Sequence, residues 1–143
     1  VRSVEQMRQL GSEIASHLQG GEIIVLRGPL GAGKTALTQG IGAALGIEGI
    51  TSPTFVISRI HEGKIKLNHV DAYRLLGVAK GSFQFDDLDL DTEGAVTVIE
   101  WGEEIVERLS DEYLVISIEF GRDENERILT SIPHGPRWQG FSL

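Results

Sequence analysis

Residues 28 to 35 read GPLGAGKT and follow the apolar run EIIVLR. Gly28, Gly33, Lys34 and Thr35 fit the spacing G-x-x-x-x-G-K-[ST], and Gly31 adds a glycine inside the loop. A loop of this kind turns backbone N–H groups inward around an anion, and glycines permit both the angles and the close approach this requires. The lysine of such a loop reaches the β- and γ-phosphates of a nucleotide, and the threonine hydroxyl goes to Mg²⁺. The phosphate cradle predicted here runs through Gly28, Pro29, Leu30, Gly31, Ala32, Gly33, Lys34, Thr35 and Ala36. A helix opening at this point adds the positive end of its dipole.

Mg-nucleotide chemistry also needs a carboxylate at a strand end near the metal. Asp71 ends KLNHV and Glu100 ends VTVI, so either can hold the metal or order a water. Both strands are expected to end on the edge that carries the loop, where open α/β sheets bind ligands. Thr54, in TSPTF, can offer a hydroxyl or backbone group to the γ-phosphate, although Pro53 beside it also accounts for a simple turn. Trp101 follows Glu100 and by itself reads as packing. His17, His61, His69 and His134 have no metal-ligand spacing and receive no role.

These groups must be placed by strands and helices, and the pattern supplies both. Ser3 with Gln6 reads as a capping box, and Val4, Met7, Leu10, Ile14 and Leu18 then recur at helical spacing. A strand over 22–27 leads into the loop, and Leu37, Ile41, Ala44 and Leu45 line one face of the helix after it. A glycine-rich turn matching the motif by chance would have neither flank. Phe55 to Ile60 and Ile65 to Val70 read as strands around HEGK, 95–101 as a buried strand and 102–109 as a short helix. EYLVISIEF and ERILTSI alternate around GRDEN as a closing hairpin, whereas 75–90 supports no single assignment. The expected fold is one α/β domain over 1–143, a three-layer P-loop NTPase-like sandwich. Its central sheet is mixed and mainly parallel, with helices on both faces and a C-terminal hairpin. The tail 133–143 either packs Trp138 and Phe141 on the body or is mobile.

The chain has 143 residues, no cysteine and a formal net charge of −8. Disulfides, thiol nucleophiles and Cys-based metal sites are excluded. No apolar run is long enough for a membrane helix and no signal-peptide pattern opens the chain, so a cytoplasmic protein away from membranes is expected. The whole net charge lies in residues 81 to 104, which hold eight acids, among them Asp86, Asp87, Asp89 and Asp91, and no Lys or Arg. This stretch is either a solvated loop with an exposed helix face, a docking surface for a basic partner, or a source of metal ligands, and it repels nucleic acid directly. No N-K-x-D is present, which disfavours a guanine-specific GTPase, since NHVD at 68–71 ends a strand. Only Arg74 and Lys80 lie between Asp71 and the acidic stretch, too few for the arginine-rich lid of a small-molecule kinase. DAYR at 71–74 keeps a kinase open, with Asp71 as base and Arg74 as clamp. A nucleotide-sensing module with negligible hydrolysis is the third possibility.

GPLGAGKT, TSPTF, HVDAYRL and VIEWGE, in this order and spacing, resemble the TsaE (YjeE) family of bacterial ATPases required for threonylcarbamoyladenosine in tRNA, next to the anticodon. The similarity runs from the first helix to the final hairpin. It implies that ATP and Mg²⁺ are bound and ATP hydrolysed, with the family's motif residues on Lys34, Thr35, Thr54, Asp71, Glu100 and Trp101. It also implies work with TsaD, which transfers the threonylcarbamoyl group, and with its scaffold partner TsaB. The tRNA would then be reached only through that complex, which suits an acidic chain. Alone, the protein is expected to be a monomer, and with no arginine finger evident its isolated turnover should be slow.

Overall fold

The computed structural model describes residues 1–29, 31–47, 58–61, 65–71, 94–100 and 112–138. Among these residues six strands form one sheet: β1 (Ile23–Arg27), β2 (Ser58–His61), β3 (Lys66–Asp71), β4 (Ala95–Glu100), β5 (Tyr113–Phe120) and β6 (Arg127–His134). Their spatial order is β2-β3-β4-β1-β5-β6. The four central strands are mutually parallel. The two edge strands pair antiparallel, β2 on β3 and β6 on β5. The mixed, mainly parallel sheet and closing hairpin expected from the sequence are therefore present, and the ERILTSI strand runs two residues further, through His134.

Burial explains why these segments are strands. Ile23, Ile24, Val25 and Leu26 of β1 and all six residues of β4 are buried, as expected for central strands covered on both faces. On one face Ile24, Leu26, Val96, Val98, Leu114, Ile116 and Ile118 share a core with the helices α1 (Val4–Ala15) and α2 (Lys34–Ala44). The opposite face, with Val25, Val70, Ile99 and Val115, is buried as well. The helix expected over 102–109 and the segment 75–90 lie outside the described residues, as do all acids of the 81–104 stretch except Glu100. Trp138 is 3% exposed and belongs to the core, which places that part of the tail on the body, while Phe141 lies outside the described residues.

Ser3 caps α1, accepting a hydrogen bond from the Gln6 amide at 3.1 Å. The Gln6 side chain, however, accepts from the Arg2 amide at 2.6 Å, one residue before the position a capping box uses. Met7, Ile14 and Leu18 are buried as expected, whereas Val4 is half exposed, at 51%. On α2, Leu37 and Ile41 are buried, as is Leu45 just beyond its end, but Ala44 is exposed, so the apolar stripe is narrower than the sequence pattern implies.

The helices touch backbone to backbone. A Cβ on Gly40 would overlap the Arg8 carbonyl, and one on Gly11 would overlap the Leu37 carbonyl. Ser12 Oγ donates to the Gly40 carbonyl at 3.2 Å across the same crossing. Alanine at position 40 cannot be accommodated by a side-chain shift, because the obstacle is main chain. Gly40→Ala should destabilise the fold by about 1–3 kcal/mol, the usual range for overpacking, despite the better helix propensity of alanine. Urea denaturation checks this, and an unchanged midpoint would mean that the helices are free to separate.

Candidate nucleotide site

The loop that follows β1 is shaped by two steric requirements. Gly28 passes so close to β5 that a Cβ there would lie 2.6 Å from the Ile118 carbonyl oxygen. Gly33, the residue before α2, has φ +110°, a left-handed conformation that side chains disfavour. Gly31 sits exposed at the tip with φ +82°. Ala32 is buried under the loop, and its amide donates to the Pro29 carbonyl at 3.1 Å, closing the turn. Leu30 lies outside the described residues.

Because Gly33 is the N-cap of α2, no side chain caps the helix, and its first turn carries no acid. The amides there and the positive end of the dipole face the loop with no acid of the first turn competing for them. Lys34 is 7% exposed, and its ammonium donates to the carbonyls of Gly28 at 2.6 Å and Pro29 at 3.3 Å. It therefore folds back over the ring of the loop, where a phosphate bound by these amides would meet it. Thr35 and Ala36 are half buried in the first turn, and the Thr38 hydroxyl donates to the Lys34 carbonyl at 2.9 Å, bracing that turn.

The parallel registers bring both candidate carboxylate positions to the edge that carries the loop. Glu100 stands opposite Leu26, two residues before Gly28, and Asp71 stands opposite Glu100. Glu100 is 5% exposed, so its carboxylate is a buried group beside the loop strand. For Asp71 the description extends to its register. Thr54 and Trp101 lie outside the described residues.

His69, given no role from the sequence, is the partner of Glu100. Its Nε2 lies 2.9 Å from Glu100 Oε2, with His69 fully buried. His69 stands opposite Val98, so period two puts His69 and Glu100 on the same sheet face as diagonal neighbours. Metal-ligand spacing could not find this pair. The available signal was a histidine inside a buried strand, two residues before a strand-end acid.

On the other side of β1 is a pocket of about 390 Å³, counted to its open mouth. Ser3, Val4 and Met7 of the α1 entry, Gly31 to Gly33 and Ala36 of the loop and helix, Asn125 of the β5–β6 turn and Arg127 at the start of β6 line it. The turn is there because β5 runs parallel to β1 and ends at the same sheet edge.

No group of three or more His, Asp or Glu among the described residues forms a metal cage. Mg²⁺ in a phosphate site needs none, since one or two carboxylates, substrate phosphates and water complete its shell. The buried acid beside the loop and the threonine hydroxyl of α2 fit that donor set. Among the described residues no helix is long and apolar enough to cross a membrane.

Comparison with known proteins agrees with the sequence motifs. The family model described as "Threonylcarbamoyl adenosine biosynthesis protein TsaE" matches residues 1–129. The chain is 46% identical over 136 residues to the tRNA threonylcarbamoyladenosine biosynthesis protein TsaE of Mycobacterium tuberculosis, covering 89% of this chain and 81% of that one. It is 46% identical over 142 residues to the TsaE of Streptomyces coelicolor, covering 92% and 93%. The crystal structure of Bacillus subtilis YdiB superposes with a TM-score of 0.75 at 30% identity, over 97% of this chain and 86% of that one. With the loop motif, the sheet and these matches in agreement, the chain belongs to the TsaE family of tRNA threonylcarbamoyladenosine biosynthesis proteins.

Proposed function

We propose that the chain is a Mg²⁺-dependent ATPase that serves threonylcarbamoyladenosine formation together with TsaD and TsaB, with tRNA reached only through those proteins. It works as a monomer in the cytoplasm and turns over slowly until its partners engage. The observation that carries this reading is the register that sets Glu100 level with the end of β1, so that a buried carboxylate and the phosphate loop share one sheet edge.

The chemistry follows from the parts. The amides of Gly31 to Thr35 hold the β- and γ-phosphates, and Lys34 moves from its own loop carbonyls onto the γ-phosphate as charge builds there. Thr35 and Glu100 would hold Mg²⁺, with Asp71 as the further candidate ligand, and the ion would supply charge neutralisation on the phosphate oxygens when bound. Asp71 orders the attacking water, which approaches in line with the departing ADP. Thr54 and Trp101 complete the nucleotide contacts as the family resemblance implies.

The orientation of the nucleotide follows too. The carboxylates of β3 and β4 mark the γ-phosphate end on one side of β1. The base then points to the other side, toward β5 and β6, where the pocket between Val4, Met7 and Asn125 lies. ATP carrying an azide on the base should, on photolysis, attach to peptides spanning 1–8 or 121–127, and excess ATP should prevent it. Attachment to peptides of β2 or β3 would reverse the orientation.

Phosphate release, measured with and without TsaB and TsaD, tests the function. Release that rises with the partners is the expected result. Transfer of the γ-phosphate to a metabolite would replace the reading with a kinase, and nucleotide binding with no release under either condition would leave a sensing module.

A further inference from the structure

We propose that His69 is a positioning residue for Glu100, fixing one carboxylate oxygen so that the other is presented to the metal; this rests on the ATP–Mg²⁺ reading of the site. Three observations combine. His69 is 0% exposed and Glu100 5%, so neither side chain is held by solvent. The contact at 2.9 Å runs from Nε2 to a single oxygen, Oε2. The other ring nitrogen, Nδ1, is buried and finds no hydrogen-bond partner among the described residues.

The last observation identifies what orients the ring. An ionised carboxylate can only accept, so in this contact Nε2 carries a proton and donates it to Glu100 Oε2. Among the described residues no donor or acceptor meets Nδ1, so the contact that orients the ring there is Glu100, and Glu100 is held in turn by the ring. A free carboxylate rotates about its last bond and spreads a metal contact over several geometries. One held at a single oxygen keeps the second at a fixed place, as outer partners of metal ligands commonly do, with losses of roughly 10–100-fold in affinity or activity when removed. The register supplies the rigidity, because both residues sit on adjacent parallel strands.

The test uses the full chain carrying His69→Leu or His69→Gln, with Mn²⁺ as the paramagnetic substitute for Mg²⁺ and a non-hydrolysable ATP analogue. Glutamine can place an amide N–H near the position of Nε2, whereas leucine fills the volume without a donor. Mn²⁺ affinity of the nucleotide-loaded His69→Leu protein should fall by about 10–100-fold. His69→Gln should stay within a few-fold of wild type, and nucleotide binding in chelator should be unchanged in both. Wild-type Mn²⁺ affinity in the leucine variant would overturn the proposal. Equal losses in two well-folded variants would also do so, since His69 would then only pack. Ring-nitrogen NMR shifts of the wild-type protein should report the Nε2–H tautomer whether or not a variant folds, and the opposite tautomer would exclude the bond as drawn. Nucleotide-loaded wild-type protein that takes up no Mn²⁺ would remove the metal reading itself, separately from the tautomer result.

Discussion

Lys34→Ala should lower ATP turnover by about 10²–10³-fold, the scale seen when one donor to a developing charge is removed, and should weaken ATP binding as well. The lysine is the one cation of the loop motif, and it lies over the ring formed by Gly28 and Pro29, whose carbonyls it bonds. A charge-assisted contact to the β- and γ-phosphates is lost, and no neighbouring residue of GPLGAGKT can replace it. Alanine suits the first turn of α2, so the helix should remain. The loss should therefore appear in phosphate release and labelled-nucleotide binding, while the melting temperature changes little. Full ATPase activity in the folded variant would remove the phosphate-loop reading.

Glu100→Gln should cut turnover about 100-fold while nucleotide binding persists, with excess Mg²⁺ restoring part of it. The amide keeps an oxygen that can accept from His69, so the buried pair is conserved in shape and the charge alone is lost. Asp71→Asn should also cut turnover, but added Mg²⁺ should not restore it, because the role assigned to Asp71 is the water. The two positions are register partners on neighbouring strands, so a difference in metal rescue would divide roles within one cluster. Wild-type turnover in both variants would deny either residue a direct part.

The phosphate loop was legible because its requirements are local. Gly28 and Gly33 are forced by a carbonyl a few ångströms away and by one backbone angle, and both leave a mark in the spacing of a single octapeptide. The strand-end acids were legible for a related reason, since a carboxylate closing an apolar run is unusual in a buried strand. His69 was not, because its meaning depends on the register between β3 and β4, which no local pattern encodes. Ala44 reads as part of an apolar face because alanine satisfies either side of a helix, yet the packing of α2 leaves it exposed. The pocket beside the loop was invisible for a similar reason. Its walls come from the start of α1, the loop and the β5–β6 turn, three segments far apart in the chain.

The strand that leads into the loop is the first strand of the chain, yet it pairs with the fourth and fifth. Ile23 meets Thr97, and Ile24 meets Leu114. Such distant partners require closure of long loops before any pairing rewards it, and this is the topology that folds slowly. On a ribosome, which delivers the N-terminal part first, the apolar segment IIVL and the complete loop motif emerge early and wait without neighbours. During that interval the segment is a target for chaperones and for aggregation. The packing that shapes the loop is thus among the last features the nascent chain acquires, and a chain arrested before β5 carries every residue of GPLGAGKT without the strand against which Gly28 packs.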